Sequence, residues 1–109
     1  ENVIIGPYTS IGDNCVIKSG AKIFSSSIYS SVVIGKETTV SGSILDINTT
    51  IGDDCSIEHN TVIGPRCVLR SGITIHSGVR IWPDVIVEEN AVVKENILND
   101  RYDTKADGS

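Results

Sequence analysis

The side chains in this 109-residue chain with chemistry beyond packing are two histidines, three cysteines and a group of arginines. Glu58, His76 and Lys94 follow one another at intervals of eighteen residues, and His59 adjoins the first of them. The leading expectation is no catalytic residue in this chain; an imidazole oriented by a carboxylate is a general-base pair, so Glu58 and His76 are the catalytic candidates of the alternative reading only. The plainer reading of the same three is a solvated ladder of alternating charge. Cys15, Cys55 and Cys67 include no C-x-x-C and no spacing suited to zinc, which leaves three structural thiols and no metal site. Arg66, Arg70 and Arg80 have the chemistry to grip a phosphate, but the acidic residues scattered among them favour a solvated surface.

Whether any of these side chains meet depends on what positions them, and here the chain is strongly periodic. From Ile5, steps of six reach Ile11, Ile17 and Ile23, and one step of five leads to Ile28. Ile34 and Val40 follow, then a second step of five to Leu45. From there the series runs Ile51, Ile57, Ile63, Leu69, Ile75, Ile81, Val87 and Val93. All sixteen positions are Ile, Leu or Val, with no insertion anywhere. A repeat of this kind is the signature of a solenoid.

The other positions of the hexad are ordered too. The fifth is small or aliphatic throughout and holds every cysteine; Ser27, Ile44 and Ile97 fall in this column by count. The third holds all three prolines, Pro7, Pro65 and Pro83. The fourth is Asn, Asp or Gly in ten of sixteen repeats, residue types that tolerate the left-handed backbone of a tight corner. Each hexad therefore reads as a short strand and a bend, with positions five and one both pointing inward. Three strands close a triangular coil of about eighteen residues, and coils stack at the strand spacing of about 4.8 Å. The expected fold is all-β, a parallel β-helix of about five triangular coils.

On that frame, the column just before the first position on one side reads Val16, Val33, Thr50, Val68 and Ile86. It points outward and is almost wholly apolar, whereas matching columns contain Lys22, Thr39, Ser56 and Thr74, or Ser10 and Arg80. Part of this bias is the β-propensity of branched side chains. A continuous exposed apolar strip nonetheless marks a contact surface, with Gly35 and Gly52 beside it and Lys18, Arg70 and Glu88 as a charged rim.

Composition narrows the partners. Nine Lys and Arg against fourteen Asp and Glu give a net charge of -5, which argues against binding nucleic acid or anionic membrane surfaces. No apolar run approaches the roughly 18 residues of a membrane span, and no basic n-region or apolar h-region opens the chain. Reduced thiols suit a cytoplasmic protein. The expected boundaries are a β-helix over 1–98 and a polar tail or end cap over 99–109. The first hexad starts mid-repeat, which is the expectation for the C-terminal piece of a longer protein.

From Val3 to Leu98 the pattern resembles the hexapeptide-repeat left-handed parallel β-helix, and the left hand comes from that resemblance alone. The fold serves acyltransferases, carbonic anhydrases and assembly domains, so it does not choose a function. Two stretches are more telling: Gly78-Val79-Arg80-Ile81-Trp82-Pro83-Asp84-Val85-Ile86-Val87, and Ile28-Tyr29-Ser30-Ser31-Val32-Val33-Ile34-Gly35 with its neighbouring five-residue repeats. They are similar to the C-terminal domain of sugar-1-phosphate nucleotidylyltransferases, above all the mannose-1-phosphate guanylyltransferase group. In that family a separate N-terminal domain joins a nucleoside triphosphate to a sugar 1-phosphate, releases pyrophosphate and needs Mg2+. Its GxGTR-type loop has no counterpart here, so the resemblance transfers no catalytic residue and no cofactor to this chain. It implies subunit assembly, giving a homo-oligomer, docking on the N-terminal nucleotidyltransferase domain and, in some members, regulation; the strip of Val16, Val33, Thr50, Val68 and Ile86, read from the residues, is the expected interface. The alternative is a coenzyme A-dependent hexapeptide acyltransferase with His76 as general base, although such enzymes extrude a loop between hexads. A β-helix carbonic anhydrase needs three histidine ligands, and this chain has two.

Overall fold

An aliphatic side chain every six residues can be buried throughout only if the chain turns a corner in each hexad and stacks the next coil on the last. The computed structural model describes residues 2–98 and shows this arrangement: sixteen strands of two or three residues, with no helix among the described residues. The expected tail, 99–109, lies outside the described residues. Among the described residues no helix is long and apolar enough to cross a membrane.

The strands form three parallel sheets, one per side of a prism. The first face stacks Ile4–Ile5, Lys22–Phe24, Thr39–Ser41, Ser56–Ile57, Thr74–Ile75 and Val92–Val93. The second stacks Ser10–Ile11, Ser27–Ile28, Ile44–Leu45, Val62–Ile63 and Arg80–Ile81. The third stacks Val16–Ile17, Val33–Ile34, Thr50–Ile51, Val68–Leu69 and Ile86–Val87. Every strand thus pairs with the strand three places on, as five triangular coils and one further strand require. Ile23, Ile34, Leu45, Ile51, Ile63 and Leu69 are among the fully buried residues of the core. Ile5 and Ile11, in the first coil, are covered from one side only and remain exposed.

Each corner up to Asn90 places one residue in the left-handed region, sixteen among the described residues, and the contracted step from Val93 to Ile97 places none. Asn14, Asn48, Asp54 and Gly72 are of the expected types, but Tyr8, Glu37 and Arg66 share the conformation with φ near +60°. A residue with a large side chain gives up about 1–2 kcal/mol there, which the buried hexad next to it offsets.

The five-residue repeats correct the inward column. Ser27 and Ile44 precede Ile28 and Leu45 directly, so the alternation of the strand points them outward; Ile44 is 39% exposed. The inward residues are Ser26 and Ser43, 2% and 3% exposed. The deletion is absorbed in the corner: the preceding strands run one residue further, to Phe24 and Ser41, and the left-handed turn comes early, at Ser25 and Gly42. The two buried hydroxyls are fully engaged. Ser26 Oγ donates to the Phe24 carbonyl (2.8 Å) and accepts from Ser43 N (3.0 Å). Ser43 Oγ lies 2.8 Å from the Glu58 carbonyl and accepts from Thr61 N at 3.2 Å.

Ile97 is the second correction. It pairs with Ile81, in the column of first positions rather than fifth, so the last step contracts to four residues. Asn96 Oδ1 takes the place of a backbone carbonyl and accepts from Arg80 N at 2.8 Å.

Candidate functional site

The polar candidates separate on the prism. Glu58 and His76 stand one above the other beside the first face, because Ile57 pairs with Ile75. Glu58 N donates to the Ile75 carbonyl and His76 N to the Val93 carbonyl, which places Lys94 above them. The sequence reading of this column therefore holds as placement. Neither the Glu58 carboxylate nor the His76 imidazole makes a hydrogen bond or ion pair among the described residues, and both are half-buried. His59 stands at the neighbouring corner, where its ring packs over Gly42; a Cβ there would lie 3.0 Å from the ring.

The cysteines are free, Cys55 and Cys67 buried and Cys15 half-buried. The Cys55 thiol donates to the Arg70 carbonyl at 3.2 Å and the Cys67 thiol to the Trp82 carbonyl at 3.0 Å. Burial pushes both thiols above their ordinary range, the opposite of a poised nucleophile. Among the described residues no three His, Cys, Asp or Glu side chains gather to hold a metal.

Two of the three arginines are spent within the chain. Arg66 meets Asp84 in the next coil in a two-pronged contact, Nε to Oδ1 at 2.7 Å and Nη2 to Oδ2 at 3.1 Å. Arg70 Nε lies 3.5 Å from Glu88 Oε1, again one coil up. Arg80 belongs to the second face and forms no ion pair among the described residues. The three do not converge on one point.

The apolar strip is a ladder in register. Val16 pairs with Val33, Val33 with Thr50, Thr50 with Val68 and Val68 with Ile86, all on the third face. Val16 and Ile86 at its ends are 49% and 44% exposed, and Val33 and Val68 are half-buried by their neighbours alone. Two columns border it. After the strand come Lys18, Gly35, Gly52, Arg70 and Glu88; at the corner before it stand Asn14, Ser31, Asn48, Arg66 and Asp84. Gly35 also serves the chain internally, since a Cβ there would collide with the Gly52 backbone, while Asp53 Oδ1 accepts from Lys36 N at 2.8 Å.

Sequence reasoning missed further exposed apolar residues. Ile44 was placed inward by count, and Tyr29, Ile47 and Trp82 lie on or beside the second face, all exposed. The signal was present for Ile44, because it directly precedes an aliphatic first position as Val33 and Val68 do.

Against known proteins, the family model described as the GMPPB C-terminal domain matches residues 1–97. Mannose-1-phosphate guanylyltransferase 1 of Arabidopsis thaliana is 28% identical over 98 residues, 90% of this chain and 27% of that protein. The bifunctional protein GlmU of Lactobacillus johnsonii is 34% identical over 91 residues, 84% of this chain and 18% of that protein. The chain thus spans about a quarter or less of the length of these curated relatives. The acetyltransferase domain of PglB from Neisseria gonorrhoeae superposes with a TM-score of 0.89 at 21% identity, over 91% of this chain and 49% of that one. That likeness concerns the fold alone.

Proposed function

This chain belongs to the GMPPB C-terminal domain family, and from that premise we propose that it is the assembly domain of a sugar-1-phosphate nucleotidylyltransferase of the mannose-1-phosphate guanylyltransferase kind. Nucleotidyl transfer, with its Mg2+, belongs in this reading to a separate catalytic domain. The β-helix serves as a stiff post that joins subunits and seats that domain, in a cytoplasmic homo-oligomer. One observation carries the reading: the in-register ladder of Val16, Val33, Thr50, Val68 and Ile86 on a flat face. Apolar side chains at regular spacing give another flat face something to pack along over several coils. The test is sedimentation of the Val33→Lys/Val68→Lys variant. Loss of self-association with an unchanged melting temperature supports the assignment, and an unchanged oligomer overturns it. Purified alone, the chain releases no pyrophosphate from a nucleoside triphosphate and any sugar 1-phosphate.

The stacked Glu58 and His76 favour a second reading, the coenzyme A-dependent acyltransferase with His76 as general base. Calorimetry with acetyl-coenzyme A separates the two. Saturable binding that turns to acyl transfer abolished in His76→Ala establishes the second, and no heat of binding leaves the first.

A further inference from the structure

We infer that the third face pairs with the same face of a second copy, with the two coil axes antiparallel and a two-fold axis lying along the strand direction through Thr50. The inference rests on the assembly reading above and adds the partner's orientation. Two copies meeting face to face on this strip have two symmetric choices, and the bordering columns distinguish them. A two-fold parallel to the coil axis keeps each coil level with its own counterpart and crosses the borders. Arg70 then faces Arg66 of the second copy, and Glu88 faces Asp84, one like-charge pair above another. A two-fold along the strands reverses the order of coils and sets each border against itself.

In that second arrangement Lys18 of the first coil meets Glu88 of the other copy's fifth coil, twice by symmetry. Gly35 faces Arg70 and leaves room for its long side chain, and Gly52 faces Gly52 at the centre. On the other border Asn14 faces Asp84, Ser31 faces Arg66 and Asn48 faces Asn48, with no like charges opposed. Along the strip Val16 packs on Ile86, Val33 on Val68, and Thr50 on itself. Glu88 already lies 3.5 Å from Arg70 of its own chain, so Lys18 completes a three-membered network across the interface. An isologous contact has to be complementary to itself, and this border is so only with the coils reversed.

The face offers roughly 300 Å2 per copy from its strand spacing and rise. That is below the usual total of about 1,200–2,000 Å2 for a stable complex, so the dimer of this chain is weak and depends on concentration. The experiment is sedimentation equilibrium of the full chain up to about 1 mM, a range chosen because such contacts sit at the weak end of the affinity scale. Lys18→Glu and Glu88→Lys each put like charges together at both symmetric contacts, and each weakens self-association by about tenfold. Mixed in equal amounts they form a heterodimer in which both contacts are again opposite in sign, with affinity within about twofold of the unaltered chain. Glu88→Gln, which sets no cation beside Arg70, falls between, and melting temperatures confirm that each variant is folded.

A mixture no stronger than its components, or single variants that associate normally, overturns the antiparallel arrangement. If at the same time Val33→Lys/Val68→Lys abolishes association, the assembly reading survives that result. An unaltered chain that stays monomeric at 1 mM, or a strip variant that associates normally, overturns both.

Discussion

Arg66 and Asp84 stand one above the other at the same corner of consecutive coils, joined by Nε to Oδ1 at 2.7 Å. Both also hold left-handed backbone, so the corner that turns the chain also carries the link between coils. The pairing shows how this fold uses polar residues: a side chain is matched to its neighbour one coil, not one residue, away.

The hydrogen bond from Arg66 holds the Asp84 carboxyl below the usual carboxylate range. A depressed folded pKa contributes stability above the unfolded value and loses it as pH falls through the folded one. Arg66→Ala is therefore expected to move the Asp84 titration midpoint upward, to the ordinary range, as followed by carboxyl-carbon NMR. The melting temperature at neutral pH changes little, because both partners are solvent-exposed.

Ile63 is fully buried between Leu45 and Ile81, whereas Thr39 points away from the core. Ile63→Asp, and equally Ile51→Asp, sets a lone carboxylate in the aliphatic stack and prevents folding. Thr39→Asp shifts stability by less than about 0.5 kcal/mol. Circular dichroism melts of the purified variants decide it, and two alike outcomes would mean the columns are wrongly placed.

Ser43 tests the corrected register. Ser43→Ala leaves Thr61 N without its hydroxyl acceptor, and costs about 1–2 kcal/mol. Ile44→Thr, on the outer surface, costs less than about 0.5 kcal/mol. Urea denaturation compares them; a larger loss at Ile44 than at Ser43 would restore the column obtained by counting.

Thiol reactivity should follow burial. Cys15 in the first coil is half-buried, while burial raises Cys55 and Cys67 above their ordinary range. Iodoacetamide at pH 8 modifies Cys15 first and the other two only as the chain unfolds. Peptide mass spectrometry reads the order, and equal rates at all three would contradict the inward placement of Cys55 and Cys67.

Much of this was legible before any coordinate. Sixteen aliphatic first positions demanded sixteen strands, and the outward placement of Val33 or Thr39 followed from their standing directly before one of them. The Glu58–His76 column and the Val16-to-Ile86 strip could be drawn from spacing, because a coil of nearly constant length converts sequence distance into height. What Glu58 and His76 would do there was not legible, since their side chains find no partner among the described residues.

The period of six and the alternation of two are local properties of the strand, and they alone determined the parallel coil, its three faces and its buried stack. The tertiary structure decided where the periodicity is broken. A missing residue can be taken from a strand or from a corner, and counting cannot choose. The coil above chooses, because its backbone must stay in hydrogen-bond register: Lys22–Phe24 pairs with Thr39–Ser41 over three residues, and the shortened corners fall at Ser25 and Gly42. That register buries Ser26 and Ser43, turns Ser27 and Ile44 outward, and sets Ile97 over Ile81. It also decides that Arg66 and Arg70 spend their charge on Asp84 and Glu88, because an ion pair depends on which side chains the stacking brings within reach.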